Sequence, residues 1–262
     1  MTDNVLGVDV SKWQGDMNWE KCAEAGAKFA FVRAGSISNV SGTCYTDYQF
    51  VRNASFAPEH MPTGYYWYFR PNHDPIKQAN YFCDLIENEE QALAPVLDLE
   101  TSGNRSPRQV TTAAAAFIAK VYERLRVWPI VYSRSYFLHD QTVDHPLFHE
   151  CDLWIARYTA KPEPWGNPGD YAKTKPPYWE DWTFWQYIAS SNAAEEYGGE
   201  GPPGGDDDID LNYFNGDQAA FDAYVNKPAV PVSKLPASGF VKLNFEIDGK
   251  DVKYQGQVNL VE

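Results

Sequence analysis

The chain lacks any run of about 18 apolar residues, the length a helix needs to cross a bilayer, so no membrane span is expected. It also lacks positive charge: 22 Lys and Arg stand against 36 Asp and Glu, giving a net charge of −14. Such a surface repels phosphate backbones and anionic lipid, which argues against nucleic-acid and membrane partners. Cysteine is sparse. Cys22, Cys44, Cys83 and Cys151 are far apart and none forms a CxxC pair. A chain of 262 residues needs no staples, so free buried thiols are expected, with a disulfide left open. The opening Met1-Thr2-Asp3-Asn4 shows neither a basic n-region nor an apolar h-region. No signal peptide is visible, and synthesis in a cytoplasm is the expectation.

Several chemistries are missing with their motifs. None of the five histidines belongs to an HExxH. His145 and His149 are four apart, but Pro146 lies between them and no carboxylate follows at zinc spacing, so no metal site is expected. There is no G-x-S-x-G elbow and no P-loop, which removes the usual serine hydrolase and nucleotide-dependent readings. No cofactor is implied. Asp206, Asp207 and Asp208 follow a Gly- and Pro-rich stretch without the ligand spacing of a calcium loop, and read as a solvated loop.

Aromatic residues are plentiful, at 15% with 9 Trp and 17 Tyr. Flat faces with polar tips suit stacking on sugar rings, and equally suit core packing. Short apolar runs at 5–10, 28–34, 63–69, 94–100, 129–133, 152–158, 183–188 and 209–212 read as strands. Several are apolar at successive positions, as in Phe29-Ala30-Phe31-Val32, which fits parallel strands covered on both faces. Helices are expected between them. Ser106-Pro107 and Asp74-Pro75 are N-cap and first-turn signals, each followed by apolar residues at helical spacing. Shorter helices are expected at 18–25 and 217–225. Eight strands with intervening helices predict an α/β fold, an irregular TIM-like (β/α) barrel over residues 1–225. A Pro-rich linker at 226–239 then leads to a β-hairpin extension at 240–262, turning at Asp248-Gly249. An isolated hairpin is marginal in water, so this one docks on the barrel, pairs with another chain, or belongs to a lost or partial wall-binding module, and self-association is one expectation.

The chemistry centres on Ala94-Pro95-Val96-Leu97-Asp98-Leu99-Glu100. Period two places Asp98 and Glu100 on one side of a strand end, where barrel enzymes keep their catalytic groups. Two carboxyls this close cannot both ionise freely, and the one left protonated can protonate a leaving oxygen. Asp9 ends a similar apolar run, and Asp210 opens Asp210-Leu211-Asn212 near the other end of the chain. Closing the barrel brings these four carboxylates into one mouth. For Asp9 or Asp210 taken alone, a loop or helix cap is the bland alternative.

The order Gly7-Val8-Asp9-Val10-Ser11-Lys12-Trp13-Gln14-Gly15, Phe29 to Ala34, Gly64 to Phe69, Asp98-Leu99-Glu100, Trp154 to Tyr158, Trp185-Gln186-Tyr187 and Asp210 to Phe214 resembles the lysozymes of glycoside hydrolase family 25, the Chalaropsis-type muramidases. The resemblance spans about residues 5–225. It implies hydrolysis of the β-1,4 bond between N-acetylmuramic acid and N-acetylglucosamine in bacterial peptidoglycan. It makes Glu100 the general acid and Asp98 the partner of the substrate's 2-acetamido group, itself the internal nucleophile. Asp9 and Asp210 match the family's further cleft carboxylates. Arg33, Tyr66, Trp67, Tyr132, Trp154 and Gln186 are the expected sugar-groove residues. Family members commonly carry Lys where this chain has Arg33 and His where it has Trp67; Arg keeps the positive charge with a different hydrogen-bond geometry, and Trp puts stacking area in place of a polar ring. Lacking a visible signal, such an enzyme would reach the wall after release, as an endolysin does.

Two rivals remain open at this point. A chitinase-like glycosidase would carry an Asp-x-x-Asp-x-Asp-x-Glu strand, whereas Ala94-Pro95-Val96-Leu97 precedes Asp98 here. A non-catalytic wall-binding or virion structural protein on the same barrel would bind wall without releasing reducing ends.

Overall fold

The computed structural model describes residues 4–158, 178–189, 193–200 and 208–226, and the backbone of two later strands, 239–247 and 250–258. Strand β1 (Val5–Val10) leads to helix α1 (Trp19–Glu24), β2 (Ala30–Ile37) and a short β3 (Cys44–Thr46). Then come α2 (Phe50–Phe56), β4 (Thr63–Tyr68), α3 (Pro75–Ile86), β5 (Val96–Asp98) and α4 (Pro107–Leu125). Next are β6 (Ile130–Arg134), α5 (Ser135–Gln141), β7 (Leu153–Ala156) and β8 (Phe184–Ile188). Strand β9 (Asp210–Phe214) and helix α6 (Gln218–Val225) follow, and then β10 (Gly239–Ile247) and β11 (Lys250–Val258).

The helices begin where local chemistry says they should. The Asp74 side chain accepts from the Ile76 and Lys77 N–H groups, with Pro75 at the first helical position of α3. At α4 Ser106 and Gln109 cap each other reciprocally, and Arg126 ends the helix in the left-handed region at φ 58°. Asn18 and Asp217 cap α1 and α6.

The strands run in the order β1-β9-β8-β7-β6-β5-β4-β2, and β1 pairs with β2 to close the ring, while β3 is added at the far end of β2. The barrel is expected to be parallel, and on this point the structure differs. Strand β9 is antiparallel to both β1 and β8, so the barrel is mixed. Each strand alternates. Inward positions stack in layers: Val5, Phe29, Phe184 and Phe214 near the bottom, closed by Phe221 from α6, then Phe31, Val96, Ile130 and Trp154. Phe31 stacks on Trp154 at 4.4 Å between centroids. Glycine makes room for these rings: a Cβ on Gly7 would lie 2.4 Å from Phe29, and one on Gly64 2.9 Å from Phe31. Outward positions pack under the helices in a second apolar layer, including Val8, Val32, Trp67, Leu97 and Ile155. All four cysteines are free and buried.

Strands β10 and β11 pair antiparallel with each other, Ile247 opposite Lys250, in a sheet separate from the barrel. The expected turn at Asp248-Gly249, most of the 226–239 linker, and Asp206 and Asp207 lie outside the described residues.

Candidate active site

Above the apolar layers, the inward positions change from rings to polar groups. Asp9 (β1), Arg33 (β2), Tyr66 and Tyr68 (β4), Asp98 (β5), Tyr132 (β6), Trp154 (β7), Gln186 (β8) and Asp210 (β9) all line one cleft of about 270 Å³, with Glu100, Trp13 and Gln14 at its rim. The four expected carboxylates therefore share one cavity. Asp9 and Asp210 are register partners across the β1–β9 ladder.

Burial sets the electrostatics. Asp98 is 5% exposed, and desolvation together with the charge of Glu100 pushes its carboxyl well above the usual range, with Arg33 opposing. Burial also raises Glu100, while the guanidinium of Arg134, 3.7 Å away, holds it down. Asp9 is raised to about 6 by burial, restrained by hydrogen bonds with Asn212, Gln186 and Asp210. The Asp98 Oδ1 atom is buried and has no hydrogen-bond partner among the described residues.

The remaining polar groups hold one another. Gln186 Nε2 and Asn212 Nδ2 each donate to Asp9 Oδ2 at 2.8 Å. Tyr132 and Tyr158 hydroxyls donate to Gln186 Oε1 at 2.7 and 2.9 Å. Arg33 is anchored from behind by Asp47, which accepts its Nε–H at 2.6 Å and is itself buried. Among the described residues no group of three or more His, Cys, Asp or Glu is placed to hold a metal ion.

Five of the six expected groove residues line the cleft: Arg33, Tyr66, Tyr132, Trp154 and Gln186. Trp67 does not. It points the other way from Tyr66, is fully buried under α3, packs against Phe82 and Tyr81, and donates its indole N–H to Gln78 Oε1 at 3.1 Å. Its place in the substrate groove is withdrawn because period two along β4 turns it outward. Asn212, Tyr68 and Arg134 were not anticipated, although period two from Asp210, Tyr66 and Tyr132 points to each. Asp47 carries no such signal.

A closed α/β barrel with the raised carboxyls of Asp9, Asp98 and Glu100 gathered at its mouth has the parts that a glycoside hydrolase needs. Comparison with known proteins names the family. Residues 8–196 match the model of glycosyl hydrolases family 25, and the chain belongs to that family. Lysozyme M1 of Streptomyces globisporus is 29% identical over 240 residues, covering 87% of this chain and 74% of the relative. YegX of Escherichia coli is 26% identical over 228 residues, covering 85% of this chain and 74% of that protein. The crystal structure of the bacterial lysozyme from Streptomyces coelicolor matches with a TM-score of 0.66 at 27% identity, covering 86% of this chain and 99% of that one. The chain is a glycoside hydrolase of the lysozyme, or muramidase, type.

Proposed function

We propose that the chain cuts the β-1,4 bond between N-acetylmuramic acid and N-acetylglucosamine in peptidoglycan, with retention and with the substrate's own 2-acetamido group as nucleophile. One observation supports the mechanism: Asp98 lines the cleft and has a buried carboxylate oxygen without a hydrogen-bond partner among the described residues. A buried acceptor of this kind is costly unless a donor arrives, and the acetamido N–H is such a donor.

Burial raises both Asp98 and Glu100, and the charge of Glu100 raises Asp98 further, so both carboxyls are disposed to hold a proton in this cleft. An N–H bonded to Asp98 favours its ionised form, which leaves the proton on Glu100. Glu100 then protonates the glycosidic oxygen as that bond breaks, while the acetamido oxygen closes on the anomeric carbon. Water later opens the resulting oxazolinium ring at that carbon, giving up its proton to Glu100 and restoring the acid. Asp9 and Asp210 form the anionic floor beneath, and Arg33, Tyr66, Tyr132, Trp154 and Gln186 shape the sugar groove.

The test is reducing-end release from purified peptidoglycan by wild type and Glu100→Gln. Release of N-acetylmuramic acid ends by the wild type, with a drop of several orders of magnitude in the variant, supports both the bond and the acid. Equal activity of the two places the acid elsewhere. Wall binding without release by either supports the binding-only alternative, and cleavage of chitin oligomers but not wall supports the chitinase-like one.

A further inference from the structure

The floor of the cleft contains a set of hydrogen bonds that the cleavage steps above do not use. Asp9 Oδ2 receives two side-chain amides, from Gln186 on β8 and Asn212 on β9, each at 2.8 Å. A side-chain amide fits a site either way round unless something fixes its orientation. Here both are fixed. Trp154 Nε1, a group that donates and never accepts, gives its hydrogen to Asn212 Oδ1 at 2.8 Å. Asn212 must present its oxygen to the indole, and its NH2 therefore faces Asp9. On the other side Gln186 Oε1 accepts from the Tyr132 and Tyr158 hydroxyls, and since hydroxyls can also accept, it is the acceptor-only carboxylate of Asp9 that holds the Gln186 NH2 toward itself. Asn212 is fully buried and Trp154 nearly so, so water does not replace these partners.

We propose that Asn212, locked by Trp154, is a positioning residue of the reaction that keeps Asp9 ionised and fixed in orientation beneath the reacting sugar. The proposal rests on the glycosidase reading for its kinetic consequence, though not for the hydrogen bonds themselves. Among the charged and titratable neighbours of Asp9, Asp210 favours its ionised form through a hydrogen bond, and the others work against that form or are neutral. Asp210 faces it from β9 and is hydrogen-bonded to it, which lowers the Asp9 carboxyl. Glu100 and Asp98 add negative charge from the end of β5. The phenols of Tyr66, Tyr132 and Tyr158, facing it from β4, β6 and the segment after β7, stay neutral, because burial raises each of them. Arg33, on β2, acts on Asp98 and Tyr66 and is tied to Asp47. Hydrogen bonds from Asn212, Gln186 and Asp210 are thus what favours the anion, with Asn212 the largest of the three, and Asn212 supplies one of the two N–H donors that meet Oδ2.

The experiment compares wild type, Asn212→Leu and Trp154→Phe in two readouts, with folding of each checked by thermal unfolding. The first is the titration of the Asp9 carboxyl carbon by NMR in the folded protein. Losing the Asn212 donor raises the Asp9 midpoint by about one pH unit. Trp154→Phe frees the amide to turn and shifts the midpoint in the same direction by less. The second readout is the pH profile of kcat/KM on peptidoglycan, whose acid limb moves up with the Asp9 midpoint. A lost stacking contact or a loosened core lowers the rate equally at every pH and leaves the limb in place. An unmoved Asp9 midpoint in a folded variant overturns the proposal. So does a moved midpoint with an unmoved acid limb. If Asn212→Leu fails to fold, Trp154→Phe decides by the same criteria. Failure of wild type to release reducing ends refutes the glycosidase reading instead, and the NMR shift still decides whether Asn212 holds Asp9 ionised.

Discussion

Replacing Asp9 with asparagine tests whether the cleft stores charge at the expense of the fold. The side chain keeps its shape: the asparagine Oδ1 can accept both the Gln186 and Asn212 amides, and its NH2 can face Asp210. What changes is the ionisable proton. In the folded protein Asp9 titrates at about 6 against an ordinary 3.8, chiefly because of burial. The folded state therefore holds a proton that the unfolded chain releases, and stability falls as pH rises from about 4 to about 6. The full penalty is about 3 kcal/mol once Asp9 is ionised in both states. Asp9→Asn removes it, so the variant is expected to be more stable than wild type at pH 7 by about 2–3 kcal/mol, part of the gain being shared with the coupled carboxyls. In a domain of this size that raises Tm by about 5–10 °C. At pH 4 the two melting curves should converge, while reducing-end release stays about a hundredfold or more below wild type at every pH. Calorimetry between pH 4 and 8 reads the effect. Equal or lower stability of the variant at pH 7 would refute the reasoning, because Asp9 would then be held by net-favourable interactions rather than tolerated for function.

Arg134→Gln removes the cation that holds Glu100 down, so the alkaline limb of kcat/KM should move to higher pH; an unmoved limb would mean that solvent screens this half-exposed pair completely. Asp47→Asn leaves the Arg33 guanidinium without its buried counter-charge and should cost about 2–4 kcal/mol in urea denaturation, most of it recovered in the double variant Arg33→Met, Asp47→Leu. Trp67→Phe breaks the bond to Gln78 and thins the packing under α3, so it should lower Tm by several degrees and leave KM for peptidoglycan unchanged; a raised KM would return Trp67 to the groove. For residues 239–258, which we propose form an accessory hairpin outside the catalytic unit, light scattering of the full chain should show mass rising with concentration, and a chain ending at Asn226 should remain monomeric and active.

The features legible in the sequence are those set by nearest neighbours or by a fixed period. Asp74-Pro75 and Ser106-Pro107 start helices because a cap acts within three residues. Asp9, Asp98 and Glu100 could be grouped because a parallel strand ending in a carboxylate points it into the mouth once the sheet closes. Trp67 could not be placed in the same way. Tyr65, Tyr66, Trp67 and Tyr68 are all aromatic, so alternation of polarity does not say which face of β4 looks inward when both are covered. Asp47 was invisible for a different reason. Its partner Arg33 is 14 residues away across β3, and no periodicity links a strand residue to a loop beyond it. Helices α2 and α5 were missed because each is a short segment of seven residues without a side-chain cap.

The direction of β9 shows how much of the site depends on a property that no strand carries in its own residues. In the parallel strands the mouth lies at the C-terminal end, which is why Asp9 and Asp98 come late in β1 and β5. An antiparallel strand reaches the mouth with its beginning, and Asp210 is the first residue of β9. The ladder then fixes what lies below. Asp210 faces Asp9, and Asn212 faces Gly7, one inward step deeper on the same side. From there the Asn212 amide reaches Asp9 Oδ2 while its oxygen meets the Trp154 indole on β7, the far side of β8. A parallel β9 with the same sequence would carry Asn212 above Asp210, toward solvent and away from Trp154, and the buried carboxylate of Asp9 would lose one of its two donors. Reversing one strand thus sets both the position of the fourth carboxylate and the hydrogen bonding of the first.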